Sequence, residues 1–370
     1  MSQPRSRGLA LLALALGVAL LGRTAGTAED VDHGDEVKRR LAQWKSTPHA
    51  ELLFKGVQFQ PVTVAANGKR AVALCIGVNR VNPAHYGPGV QMLSGCVNDA
   101  EEMARIANGR GFETHVLRDS EARVDTVLDF IRAQARAMEA GDICLLSFSG
   151  HGSQVPDIPP NQDEDDGADE TLCLYDRQLI DDELAEEFRA FRPGVRLLLF
   201  TDSCHSGTVA KGAIVAAKVL ERPPAKIAGR LRGPGRVVEP RVVPPPPAVN
   251  FAVRRIDPAV GMALFRTRPE YDVVKRRTLR GDKAAETDLP ATLLHFAACA
   301  DSELAIEMGD HGVFTAVLLD VWGNGAFTGT YRDFYAAIVK EVPRQNPKYR
   351  RYGPANPAFE DQQPFTTFAK

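Results

Sequence analysis

No two of the six cysteines stand close together; they lie at positions 75, 96, 144, 173, 204 and 299. There is no CxxC pair, which excludes a zinc ribbon and a thioredoxin-like redox motif. Net charge is also lacking. With 45 basic against 47 acidic residues the formal net charge is -2, so the balance implies no polyanionic partner such as nucleic acid. Internal repeats are absent. Past Leu21 there is no apolar run long enough to cross a membrane. The whole chain, 44% hydrophobic and 25% charged, has an ordinary globular composition, and 370 residues leave room for two or three domains.

The chain opens with Arg5 and Arg7, a Leu/Ala-rich stretch from Leu9 to Leu21, and small residues up to Ala28. That layout predicts a secretory signal peptide over residues 1–28 and export to the periplasm or beyond. The apolar stretch is short for a bilayer span; an uncleaved N-terminal anchor is the alternative. Residues 29–66 begin as a polar helix (Val31 to Trp44), continue into a Pro-containing extended piece, and carry no chemistry.

From Arg70 onward strands and helices alternate. Continuous apolar runs predict buried strands at 71–78, 143–148, 195–201 and 291–298, with a shorter strand at 113–117. Helical periodicity predicts helices over 98–109, 121–140, 182–191, 312–322 and 330–341. Such alternation predicts an α/β fold with a largely parallel sheet covered by helices on both faces. Between Pro223 and Pro247 stand eight prolines, interleaved with lysine and arginine and with little apolar periodicity. The stretch 211–288 is therefore read as a flexible linker or insertion between a 67–210 part and a 289–370 part of one fold. No aromatic residues are interleaved with its basic ones to suggest nucleic-acid binding.

Two predicted strands end in residues with chemistry. One leads into Ser149-Gly150-His151-Gly152, the other into Asp202-Ser203-Cys204-His205-Ser206-Gly207. By itself Cys204 is equally a buried core residue or a nucleophile. If both strands run parallel in one sheet, His151 and Cys204 emerge at the same edge, where an open α/β sheet places its ligands. A cysteine needs its proton removed before it can attack a carbonyl, and a nearby imidazole does this. The N–H groups of Gly152 and Cys204 are natural oxyanion donors in such a geometry. His205 is a weaker candidate base, since neighbours on an extended chain point to opposite sides.

These two motifs, with Gly95-Cys96-Val97-Asn98-Asp99-Ala100, the acidic stretch 163–170 and Ile180-Asp181-Asp182-Glu183-Leu184, resemble the caspase-like cysteine peptidases, and among them the type I metacaspases of bacterial kind. The resemblance runs over about 70–210 and more weakly over 290–335; the caspase Gln-Ala-Cys around the nucleophile is absent. It implies a caspase-like three-layer α/β/α sandwich, a His151–Cys204 dyad, and a monomer cutting polypeptides after Arg or Lys. It further implies an acidic pocket formed by Cys96, Asp99, Ser149 and Asp202. A carboxylate pair in a partly desolvated pocket does favour a cation and repel an acid. Asp99 read alone is a helix N-terminal acid, and Asp202 a turn residue. The resemblance also implies calcium stimulation, with Asp166, Asp181 and Asp182 holding the ion; Ala210 and Lys211 stand where some members carry another acid. Self-processing would fall within the basic linker. The alternatives are a caspase-like peptidase of other specificity and an idle caspase-like binding or signalling module.

Overall fold

The computed structural model describes residues 68–156, 168–204, 251–272, 274–275, 289–299, 304–343 and 345–367, all within one compact unit. The expected signal peptide, the 29–66 segment, most of the acidic stretch, His205 and the rest of residues 205–250 lie outside the described residues.

The apolar runs form strands because they are buried on both faces. β1 (Ala71–Gly77), β2 (Glu113–Arg118), β3 (Ile143–Ser149), β7 (Arg196–Asp202) and β9 (Thr292–Ala297) pair in parallel. Together with β12 (Lys348–Tyr352) they make a six-stranded sheet in the order β12-β9-β7-β3-β1-β2. β12 alone pairs antiparallel, at the edge. Every residue of β1, β3 and β7 is buried.

Alternation along each strand feeds two cores. On one face Leu74, Ile76, Leu146, Phe148, Leu197 and Leu199 meet helices α2 (Val124–Ala137) and α3 (Asp181–Phe188). On the other, Cys75, Leu145, Leu198, Phe200, Leu294 and Phe296 meet α1 (Cys96–Gly109), α5 (Val313–Trp322) and α6 (Tyr331–Glu341). The result is the expected three-layer α/β/α sandwich, and the strands and helices lie within a few residues of their predicted bounds. All six cysteines are buried. Among the described residues no helix is long and apolar enough to cross a membrane.

Two small antiparallel sheets lie beyond the main one. β4 (Gly152–Pro156), β5 (Ala168–Cys173) and β6 (Gln178–Ile180) form the first. β8 (Phe251–Val253), β10 (Ile306–Met308) and β11 (His311–Gly312) form the second. β8 falls within the 211–288 stretch that its composition marks as a flexible linker or insertion. So does α4 (Pro258–Thr267), which is N-capped by Asp257 and carries Pro258 in its first turn. Phe265, Tyr271 and Val274 pack with Val155 and Ile180, and the Tyr271 hydroxyl bonds His85 Nε2 at 3.1 Å and the Gln178 amide N–H at 3.1 Å. Low periodicity misled because so short a helix needs only a few anchors. Residues 211–250 and 276–288 lie outside the described residues.

The second core depends on Phe334, which is fully buried and stacks edge-on to Trp322, Phe296 and Phe365. Phe334→Ala is expected to lower unfolding stability by about 3–5 kcal/mol in urea titration, because the rigid sheet cannot close over the cavity.

Candidate active site

The register between β3 and β7 places the site. Ser149 pairs with Asp202 as the last rung, so His151 and Cys204 each follow two residues beyond level strand ends. Adjacent parallel strands thus join residues far apart in sequence. Gly152 lies so close beneath the chain that a Cβ there would overlap the Cys204 carbonyl.

His151 is buried, and its Nε2 lies 2.7 Å from the Gln91 carbonyl oxygen. A carbonyl only accepts, so Nε2 carries the proton and donates it, leaving the lone pair on Nδ1. That Nδ1 is buried and has no hydrogen-bond partner among the described residues. Burial drives the imidazole pKa down from 6.5 to about 4, against the upward pull of the Gln91 carbonyl. At neutral pH it is an uncharged base with a fixed tautomer.

The Cys204 thiol sits against Ala305. It accepts the Ala305 N–H at 2.9 Å and donates to the Ala305 carbonyl at 3.4 Å. Burial and the neighbouring Cys299 push its pKa well above that of a free thiol. Among the described residues no hydrogen bond joins Cys204 to His151. Both groups are neutral and separately held, which is a resting arrangement; hydrogen bonds of catalytic groups commonly tighten only when reaction begins.

The four sequence-derived pocket residues Cys96, Asp99, Ser149 and Asp202 do come together, and they surround a side chain of the protein itself. Arg254, fully buried, threads between them. Its Nη1 donates to Ser149 Oγ at 2.7 Å and to the Asp202 carbonyl at 3.2 Å, and pairs with Asp202 Oδ2 at 3.2 Å. Its Nη2 donates to Asp99 Oδ2 at 2.7 Å and to Glu307 Oε2 at 3.3 Å. His311 and the Gly312 amide bond the Asp99 carboxylate, and Thr315 bonds Asp202 Oδ2 through both its N–H and its hydroxyl. Burial alone would raise Asp99, but Arg254, His311 and Ser149 outweigh it and hold the carboxyl below its ordinary pKa. Burial prevails at Asp202, whose pKa is raised although Arg254 opposes it. The acids lift the guanidinium well above its usual pKa against burial.

The backbone of Arg254 is held as firmly. Its carbonyl oxygen accepts both the Gly152 N–H at 3.0 Å and the Cys204 N–H at 3.2 Å, and its own N–H donates to the Ala305 carbonyl at 3.1 Å. On either side, β8 pairs with β10, and the Ile256 N–H donates to Gly152 O at 2.9 Å. The pair of amides that sequence reasoning named as oxyanion donors converge on one carbonyl.

Sequence reasoning missed Glu307, Gln91, Ala305 and Arg254. Glu307 lies on a three-residue strand too short for any period, and Gln91 and Ala305 act through their backbones. Arg254 was buried in the basic composition around it; its one signal was Arg254-Arg255 directly after the apolar Phe251-Ala252-Val253. The expected calcium residues are not part of this site. Asp181 and Asp182 open α3, and Asp181 Oδ1 accepts the Asp182 N–H. Asp166 lies outside the described residues, among which no three His, Cys, Asp or Glu side chains cluster to hold a metal.

A profile of the caspase-domain family matches residues 70–364. Metacaspase-1 of Saccharomyces cerevisiae (strain ATCC 204508 / S288c) is 33% identical over 165 residues, 40% of this chain and 36% of that protein. Metacaspase-1A of Aspergillus fumigatus is 36% identical over 156 residues, 38% of this chain and 36% of that protein. The chain thus matches little more than a third of the length of these curated relatives. Among solved structures, a protein from Geobacter sulfurreducens is 39% identical with a TM-score of 0.65, covering 81% of this chain and 100% of that one.

The imidazole makes stability depend on pH. Its folded pKa is about 4 against 6.5 unfolded, so between these values the unfolded chain binds more protons. The His151 contribution is complete above pH 6.5 and is lost as pH falls toward 4. From pH 7 to pH 4.5 the wild type should lose about 2–3 kcal/mol more than His151→Gln in denaturant titrations; equal losses would show that the imidazole is not held neutral.

Proposed function

Because the chain belongs to the caspase-domain family, we propose that it is a cysteine endopeptidase cutting polypeptides after arginine and, more slowly, after lysine. The observation that carries this reading is the seating of Arg254, with its guanidinium among three carboxylates and its carbonyl under two backbone amides.

A substrate arginine in the same place would present its carbonyl carbon to Cys204. Nδ1 of His151 takes the thiol proton, and the sulfur attacks. The Gly152 and Cys204 N–H groups then hold the developing oxyanion, stabilising charge that exists only along the reaction path. His151 returns the proton to the departing amine. A water, deprotonated by His151, hydrolyses the thioester and frees the thiol. The Gln91 carbonyl keeps the imidazole in the required tautomer throughout.

Specificity follows from the fork of the guanidinium. Nη1 meets Asp202 and Nη2 meets Asp99 and Glu307, and a lysine ammonium is a single point that cannot reproduce this fork. An aspartate would meet three like charges. An idle binding module would need the acidic pocket but neither the paired amides nor a buried imidazole with a bare Nδ1. The 211–288 stretch, rich in Arg and Lys, is proposed to be processed by the same activity. Calcium stimulation rests on the resemblance; among the described residues no cluster of His, Cys, Asp or Glu side chains forms a metal site.

Fluorogenic peptides with Arg, Lys or Asp before the cleaved bond separate the readings. Arg should exceed Lys, Asp should be inert, and Cys204→Ala should be inactive. Glu307→Gln and Asp99→Asn are each expected to lower kcat/KM on Arg peptides by about 30- to 1000-fold. Preference for Asp would sink the pocket assignment. A chelator that leaves the rate unchanged would remove calcium.

A further inference from the structure

We propose that His311 is the resident counter-ion of the acidic pocket, a positioning residue that acts through Asp99. Its imidazole holds a proton while the pocket lacks a guanidinium and gives that proton up to water when an arginine side chain enters. The inference rests on the proposed arginine specificity and adds to it a proton exchange that makes recognition depend on pH.

The backbone around His311 sets its place. β11 pairs with β10, so that His311 lies opposite Met308 and Gly312 opposite Glu307. The start of α1 packs on the same residue: a Cβ on Gly95 would come within 2.8 Å of the His311 Cα, and Asn98 Nδ2 donates to the Asp310 carbonyl at 3.0 Å. His311 Nδ1 then reaches Asp99 Oδ1 at 2.8 Å, while Arg254 Nη2 takes Oδ2 of the same carboxylate at 2.7 Å. One acid thus stands between a guanidinium and an imidazole. Their exposures differ sharply. The side chains of Arg254 and Asp99 are 0% and 1% exposed, whereas 31% of the His311 side chain reaches solvent. Among the described side chains bonded to this carboxylate, His311 is the one that can trade protons with water.

A carboxylate only accepts, so Nδ1 keeps its hydrogen in either charge state, and the proton that comes and goes is the one on Nε2. The charges around the ring hold it there. Asp99 and Glu102 come from α1, Asp310 from the turn before β11, and Glu307 from β10, all of them acids. Arg254 is the cation on the far side of Asp99. The bond to Asp99 raises the imidazole pKa above its ordinary 6.5 against partial burial, and Glu102 and Asp310 pull the same way.

Three buried carboxylates face one guanidinium here, and an imidazolium brings a second cation to them. With the guanidinium withdrawn, the acids lose their main partner and bind the imidazole proton more tightly. When a guanidinium returns, two cations on one carboxylate repel each other and the proton leaves for solvent. His311 therefore has two pKa values, the higher one in the pocket without a guanidinium. Between them arginine binding releases a proton, so its affinity rises with pH; below both values and above both it is level. Asp202, whose pKa burial raises, releases a proton in the same direction. Replacing His311 separates the two contributions.

The test follows the imidazole itself, by NMR titration of the full chain carrying Cys204→Ala and isotope-labelled histidine, with the His311 signal identified by its loss in His311→Asn. Replacing Arg254 by Ala should raise the His311 pKa by about one pH unit, and ethylguanidine added to that variant should bring it back. Arg254→Lys, which keeps a cation in the pocket, should fall between and serves in its place if the alanine variant does not fold. In kinetics, KM of the wild type for an arginine peptide should fall about tenfold between about pH 6.5 and about pH 9. His311→Asn, whose Nδ2 stands where Nδ1 does and donates to Asp99 without charge, should flatten most of that change. A His311 pKa indifferent to Arg254→Ala, Arg254→Lys and ethylguanidine overturns the inference, as does a KM that varies with pH alike in wild type and His311→Asn. In either case cleavage of arginine peptides leaves the proposed specificity standing. A His311 that answers to the guanidinium, in a chain whose wild type cuts no peptide at any pH, keeps the counter-ion and sinks the proposed peptidase.

Discussion

Three carboxylates face one guanidinium inside this protein, and much of the rest is arranged to make that possible. Asp99, Asp202 and Glu307 are all nearly inaccessible to water, where like charges repel strongly and solvent cannot help. Arg254 relieves the repulsion; Ser149, His311 and the Gly312 amide bond the Asp99 carboxylate and Thr315 bonds Asp202 Oδ2, while Asp202 Oδ1 has no hydrogen-bond partner among the described residues. The acids come from the start of α1, the end of β7 and the small strand β10, so one cation ties the 67–210 part to the 289–370 part. Removing one member of such a cluster costs more than the net stabilisation of the pair, because the others stay buried without a partner.

The site beside this cluster is held in a resting state by the same burial. A buried imidazole and a buried thiol both favour their neutral forms, so proton transfer between them is unfavourable until the surroundings change. The thiol's bonds to Ala305 and the imidazole's bond to Gln91 keep each group where it is. β8 completes the sheet with β10 and β11, and without it β10 would present an unpaired edge. An extended segment is held at that edge by main-chain bonds.

Much of this protein was legible in its sequence. The apolar runs 71–78, 143–148 and 195–201 are β1, β3 and β7 because a strand buried on both faces admits almost no polar residue, and helical periodicity located the helices of both outer layers. His151, Gly152 and Cys204 were legible because a glycine-flanked histidine and a cysteine at the ends of parallel strands must share an edge. The six-stranded order, the antiparallel β12 and the packing of 251–275 were not. β12 reads Lys-Tyr-Arg-Arg-Tyr, polar because it lies at an edge, and the Tyr271 network depends on partners far away in the chain.

Local sequence determined which residues could do chemistry; only the tertiary structure decided what they face. Asp99 and Asp202 carry the same charge in any conformation, yet the first is held acidic and the second raised, because their neighbours differ. Glu307 joins the pocket through a three-residue strand that no periodicity could reveal. Arg254 is one basic residue among many in its stretch, and nothing local marks it as the one that enters the site. Its place is set by long-range pairing with β10 and docking of α4, contacts between residues tens of positions apart that only a folded chain brings together.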